Sequence, residues 1–202
     1  MPALQVSSGK YESYAHKLLW ESSRRHLSLS EANPEDSWLL HLSAGLLAAA
    51  AFEAYLNYVG EEVLPHIWDQ ERTFFAQAPY KGTFGKLKRI AEEIRWELPR
   101  RDLQPIAGAV ELHALRDKVV HGRTLRVNWK RTHPANQLPR TPGGWLSAEA
   151  PPTKVRRLIA KAEELAILLH GHLLASEFQY CILGSHPLIG MLGFGSLSAR
   201  AA

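Results

Sequence analysis

The sequence predicts an all-α fold, an up-and-down bundle of five to six helices with a long loop before the last long helix. Apolar residues recur at helical spacing along most of the chain, and helix start and stop signals separate these stretches. No segment alternates apolar and polar residues well enough to predict a sheet. We therefore expect one helical bundle domain over residues 10–183, followed by a tail with several Gly and Ser residues over 184–202.

Local signals delimit the first two helices. The first is predicted from about Lys10 to Leu29, and the residues expected on its inner face are Tyr11, Tyr14, Leu18 and Ser22. Asn33-Pro34-Glu35-Asp36 predicts the next helix start, because asparagine caps, proline suits the first turn and carboxylates favour the positive helix end. This second helix is expected to continue to Glu62, before Leu64-Pro65. It should be the central helix, since residues 46–56 are apolar on almost every side.

Three further helices are predicted in the second half of the chain. The first is amphipathic, with Phe84, Leu87, Ile90, Ile94 and Leu98 inward and Lys86, Lys88, Arg89 and Arg95 outward. Another is predicted from about Pro105 to Gly122, with the glycine as a left-handed C-cap. After a predicted loop over 124–152, the last helix should run from Thr153 to about Tyr180. Its expected inner residues are Val155, Leu158, Ala162, Leu165, Leu169 and Leu173.

Composition and charge predict a cytoplasmic protein. The net charge of +4 permits a polyanionic partner without requiring one. A single cysteine, Cys181, can form neither an internal disulfide nor a thiolate metal site. Residues 1–10 lack the apolar stretch of a signal peptide, and the apolar run Leu42–Phe52 is about half the length of a membrane span. We therefore expect no membrane association.

One segment carries a family resemblance. Arg116-Asp117-x-x-x-His121 lies among apolar residues and is followed by Gly122 at a predicted helix end. It resembles the Arg-polar-x-x-x-His motif of the HEPN-domain superfamily. The stretch Ala51-Phe52-Glu53-Ala54-Tyr55-Leu56-Asn57 and the order of the helices are also similar to that superfamily. The resemblance covers about Lys10 to Tyr180.

The resemblance implies a function. Many HEPN proteins are metal-independent endoribonucleases that form dimers and belong to toxin–antitoxin, defence or RNA-processing systems. It assigns catalytic roles to Arg116 and His121, with Asp117 as their polar companion, and implies a 2′,3′-cyclic phosphate product. The implied partners are RNA, a second copy of the chain, and an antitoxin or nucleotidyltransferase protein. No cofactor and no metal are expected.

The chemistry of the motif residues is consistent with RNA cleavage. Histidine exchanges protons near neutral pH, and arginine offers a charged, planar fork for a phosphate. On an ideal helix Asp117 lies about 40° from His121, whereas Arg116 lies about 140° from it. This separation favours a site that is completed by a second copy of the chain.

Other residues are predicted to support this site. Glu53 lies in the most apolar helix, so burial requires a partner. A structural ion pair is favoured over a catalytic role, with Arg116 as one candidate partner. Asn57 shares the face of Glu53, and His113 lies one turn before Asp117. Directly after the motif come four basic residues and a tryptophan, whose ring can stack on a base: Arg123, Arg126, Trp129, Lys130 and Arg131. This combination of positive charge and an aromatic ring predicts contacts to single-stranded RNA.

Three alternatives stay open. Arg116, Asp117 and His121 are also compatible with a polar network that only stabilises a helix end or a dimer interface. The protein would then be a non-catalytic helical module that binds RNA, a nucleotide or a partner protein. A third interpretation is a small-ligand sensor with a cleft around His113, Asp117 and His121. His170 and His172 point about 160° apart on a helix, so one is expected in the core and the other at the surface.

Overall fold

The computed structural model describes residues 5–32, 37–122, 150–182, 184–190 and 193–201. Within these ranges the chain forms seven helices and two strands, and the predicted mostly helical character is confirmed. In chain order the elements are β1 (Gln5–Ser13), α1 (Ala15–Ala32), α2 (Ser37–Val63), α3 (Pro65–Trp68), α4 (Glu71–Phe74), α5 (Gly82–Glu93), α6 (Ile106–Val120), α7 (Pro152–Leu174) and β2 (Gly193–Ala201). The predicted cap at 33–36 and nearly all of the predicted loop over 124–152 lie outside the described residues.

Helix α2 is the centre of the bundle, as predicted. It packs against α1, α5, α6 and α7. Small residues allow this close approach on several sides, since Ala44, Ala48 and Ala51 are fully buried. The helix ends at Val63, immediately before the predicted stop at Leu64-Pro65.

The length and hydropathy of α2 are those of a membrane span. The apolar run within it is short, but the helix has 27 residues and an 18-residue window with a mean hydropathy of 1.5. Of that window, 56% is buried inside the protein. The same composition is typical of a helix surrounded by other helices, so the predicted localisation is neither strengthened nor weakened.

The two strands were not expected from the sequence. β1 and β2 pair as an antiparallel ribbon in which Gln5 is opposite Ala201 and Ser13 is opposite Gly193. The predicted helix start at Lys10 is therefore wrong, because residues up to Ser13 belong to β1. Pairing between segments so distant along the chain depends on backbone hydrogen bonds that no local periodicity reveals.

The predicted inner face of α1 is also wrong in part. Tyr14 is buried just before the helix, but 51% of Leu18 is exposed. The buried face of α1 is instead His16, Lys17, Trp20, Ser23 and Ser30. Polar side chains are tolerated there because they find partners, as Ser23 does by donating to the carbonyl of Ala44 at 2.8 Å.

Helix α5 orients Leu87 and Ile90 inward as predicted, but it differs from the prediction in one side chain and in its end. Leu87 and Ile90 are buried, but so is Lys86, which was predicted to face solvent. The helix also ends at Glu93, before the predicted Leu98. Arg95 adopts a left-handed φ of 55°, and the N–H of Trp96 donates to the carbonyl of Ala91 at 2.8 Å. This pairing is a Schellman-type helix end built without glycine.

Helices α6 and α7 match their predictions except at their ends. All six predicted inner residues of α7 are buried. The helix ends at Leu174, however, because the turns from Ala175 onward leave the helical path. α6 ends at Val120 with His121 as its C-cap. The left-handed cap at Gly122 is wrong, since Gly122 is not among the described glycines with positive φ.

Candidate functional site

Arg116 is anchored between two carboxylates. Its Nη2 donates to Oε2 of Glu53 at 2.5 Å, and its Nη1 lies 3.1 Å from Oδ1 of Asp117. The side chain of Arg116 remains 25% exposed. The predicted ion pair between Glu53 and Arg116 is confirmed, and it joins α2 to α6.

Lys86 extends this ion pair into a network. Its Nζ contacts a carboxylate oxygen of Glu71, donates to Oδ1 of Asn57 at 2.8 Å and lies 3.6 Å from Oε1 of Glu53. The Lys86 side chain is only 6% exposed, so its charge requires these partners. Sequence reasoning placed Lys86 outside, although its position four residues before Ile90, on the same helical face, was an available signal.

His121 lies at the C-terminal end of α6. Its backbone N–H donates to the carbonyl of Asp117 at 2.9 Å at the end of α6. The imidazole is on an exposed residue, and no described residue forms a hydrogen bond with it. None of the described contacts joins Arg116 to His121, and on an ideal helix the two residues lie about 140° apart.

His113 lies at the bottom of a cleft beside the motif. Its ring packs against Phe52, with 5.8 Å between the ring centroids. Both ring nitrogens are buried and have no hydrogen-bond partner among the described residues. Burial, assisted by the nearby positive charge of Arg116, lowers the pKa of His113 to about 4. The imidazole is consequently neutral at physiological pH.

The cleft has a volume of about 240 Å³ and lies between the beginning of α5 and one face of α6. Asp117 is part of its wall, whereas neither Arg116 nor His121 lines it. The sequence places His113 on the same face as Asp117, with packing favoured over a role in a cleft. The ring both packs against Phe52 and lines the cleft with Asp117, whereas His121 does not line it.

Two histidines of α7 divide between core and surface, as predicted. Nε2 of His170 donates to the carbonyl of Gly184 at 3.0 Å, so its Nδ1 accepts from the hydroxyl of Tyr55 at 3.0 Å. His172 is exposed and stacks on Trp96 at 4.7 Å. Burial raises the pKa of Tyr55, which therefore stays protonated as the donor. This pair ties the segment after α7 to the core.

The predicted RNA-binding group lies outside the described residues. It comprises Arg123, Arg126, Trp129, Lys130 and Arg131, all within the undescribed range 123–149. In the part of the chain that the structure describes, no group of three or more His, Cys, Asp or Glu side chains is arranged to hold a metal ion.

Comparison with known proteins adds no family assignment. No family model matches the chain, and no curated protein or solved structure matches it significantly. The resemblance to HEPN domains therefore stays a prediction, carried by the residues and contacts described above.

Proposed function

We propose that this protein is a metal-independent endoribonuclease of the HEPN type. The observation that supports this most directly is how the side chain of Arg116 is held and how much of it is exposed. Two carboxylates hold its guanidinium in place, yet a quarter of the side chain remains exposed at the surface near the end of α6. Preorganised arginine of this kind can stabilise the extra negative charge of a phosphate during cleavage.

In the proposed reaction His121 supplies the proton transfer. Its exposed imidazole takes the proton of a ribose 2′-hydroxyl, and the 2′-oxygen bonds to phosphorus. The bond to the 5′-oxygen then breaks, and the departing oxygen takes up a proton. The products are a 2′,3′-cyclic phosphate and a 5′-hydroxyl, while Arg116 binds the phosphate oxygens and Asp117 orients Arg116.

A second copy of the chain completes the proposed site. On an ideal helix Arg116 and His121 lie about 140° apart, which favours a site in which the two residues facing one phosphate belong to different protomers. Val120, next to His121, is 59% exposed and provides apolar surface for such a contact.

RNA cleavage in the presence of EDTA tests this proposal. We expect the wild-type protein to cleave, and Arg116→Ala and His121→Ala to be inactive while retaining helical circular dichroism. His66→Ala changes an exposed histidine of α3 and is the matched control, expected to be fully active. Mixing the two inactive variants should restore part of the activity if the site is shared between protomers. Full activity in either single variant would refute the proposal.

One observation favours a second candidate, a non-catalytic helical interaction module. The ion pair of Arg116 with Glu53 also satisfies the arginine without any substrate. In that case neither wild-type nor variant protein cleaves RNA, and Arg116→Ala lowers the free energy of unfolding. Because loss of this ion pair lowers the stability of Arg116→Ala under either candidate, the cleavage assay is the measurement that separates them.

A further inference from the structure

The cleft beside α6 combines an apolar floor with a charged rim. Its apolar lining is formed by Phe52, Phe84, Leu87, Ile106, Val110 and Leu165. Polar side chains of Lys81, Thr83, Arg101, His113 and Asp117 complete the wall. An enclosed apolar surface with a few convergent polar groups is the usual form of a small-molecule site.

The cations of the rim are not neutralised. Among the described residues, neither Lys81 nor Arg101 has a carboxylate partner, although the neighbouring Arg100 is paired with Asp102 at 2.7 Å. The guanidinium of Arg101 instead lies 4.9 Å above the ring of Phe84. Because Asp117 is committed to Arg116, the rim carries an excess of positive charge.

The lining also contains an unsatisfied polar group. Neither nitrogen of His113 has a hydrogen-bond partner among the described residues, which is uncommon for buried polar atoms and calls for an explanation. A neutral imidazole offers one donor and one acceptor.

We propose that this cleft binds a small molecule consisting of one flat apolar ring that carries an anionic group. The ring lies on the floor between Phe52 and Phe84, and the anionic group lies between Lys81 and Arg101. The volume of about 240 Å³ suits this size, because a cavity of about 150 Å³ already holds benzene. The inference goes beyond the proposed nuclease activity and does not depend on it, since Arg116 and His121 do not line the cleft.

Titration calorimetry with three ring compounds tests the proposal. Benzoate and phenyl phosphate carry the anionic group as a carboxylate or a phosphate, and benzamide is the uncharged analogue. We expect saturable one-to-one binding of at least one anion, with a dissociation constant below about 1 mM, and benzamide to bind at least about tenfold more weakly. The tighter of the two anions identifies the group that the site prefers.

Single substitutions in and beside the cleft test where the anion binds. Arg101→Gln and Lys81→Gln should each weaken binding of the anion at least about tenfold, whereas Arg100→Gln, one residue away and directed at Asp102, should leave it unchanged. Ala114→Phe fills the cleft from an exposed helical position and should abolish binding without loss of helicity. Absence of saturable anion binding, equal binding of benzamide, or full binding by Ala114→Phe would overturn the proposal.

Discussion

Arg116 on α6 and Glu53 on α2 form a 2.5 Å ion pair across 63 residues of sequence. The pair connects a residue of the candidate motif to the most apolar helix of the chain. It holds the arginine at the surface, and it gives the only carboxylate in the apolar middle of α2 a partner. Stability and the proposed catalysis therefore depend on the same contact.

We expect the Glu53–Arg116 pair to have a measurable coupling energy. Glu53→Gln, Arg116→Met and the double variant form a cycle that should give a coupling of about 1–2 kcal/mol in urea denaturation, because both side chains are mostly shielded from water. The exposed pair Arg100–Asp102 is the control, with an expected coupling below about 0.5 kcal/mol. Equal coupling in the two pairs would contradict this prediction.

Replacing Lys86 should destabilise the protein strongly. Lys86→Met removes the buried charge that Glu71, Asn57 and Glu53 share, and leaves Glu71 and Asn57 without this donor, while Glu53 keeps Arg116. We expect a loss of about 2–3 kcal/mol in the free energy of unfolding. Lys88→Met, two residues along the same helix, loses only exposed contacts to Glu92 and the ring of Tyr80 and should change it by less than about 0.5 kcal/mol. Similar losses for both variants would show that Lys86 is not buried.

Two helical glycines should respond in opposite directions to alanine. A Cβ at Gly60 would overlap the indole ring of Trp68, so Gly60→Ala should lower the free energy of unfolding by about 1–3 kcal/mol. Gly171 on α7 has open space around it, so Gly171→Ala should raise stability by about 0.5–1 kcal/mol through helix propensity. Thermal denaturation of the two variants checks the direction of both changes in stability. A stabilising effect of Gly60→Ala would disprove the close contact between α2 and α3.

Stability should fall as the pH drops from about 6.5 to 4. Burial lowers the pKa of His16 to about 4 and that of His113 to about the same value. Over this interval the two histidines bind protons in the unfolded chain but not in the folded chain. The stability that their neutral forms contribute is therefore fully present above pH 6.5 and is lost toward pH 4. His16 alone should account for about 3 kcal/mol.

His16→Phe tests the source of this pH dependence. Phenylalanine keeps a ring against Tyr58, which lies 5.0 Å from the ring of His16, but it cannot bind a proton. Denaturation curves between pH 7 and 4 should therefore slope less steeply in this variant than in wild type. His66→Phe, at an exposed position, is the control and should keep the wild-type slope. An unchanged slope in His16→Phe would exclude His16 as a contributor.

Prediction from sequence succeeded where the signal is local and repeated. The stop at Leu64-Pro65 and the inner face of α7 follow from residue spacing within a single helix. The need of Glu53 for a partner was also predictable, because the helix around it is apolar on almost every side. A structural ion pair was the favoured interpretation, and Arg116, one candidate partner, is the residue that forms it.

The sequence by itself determined where the long helices α2, α6 and α7 lie and which helix is central, because helical periodicity and helix stop signals are properties of neighbouring residues. Only the tertiary structure decided that Lys86 turns inward, that His113 faces a cleft with Asp117, and that residues 5–13 pair with 193–201. Each of these depends on which distant elements face each other. Charge burial and strand pairing are favourable only once those partners are in place.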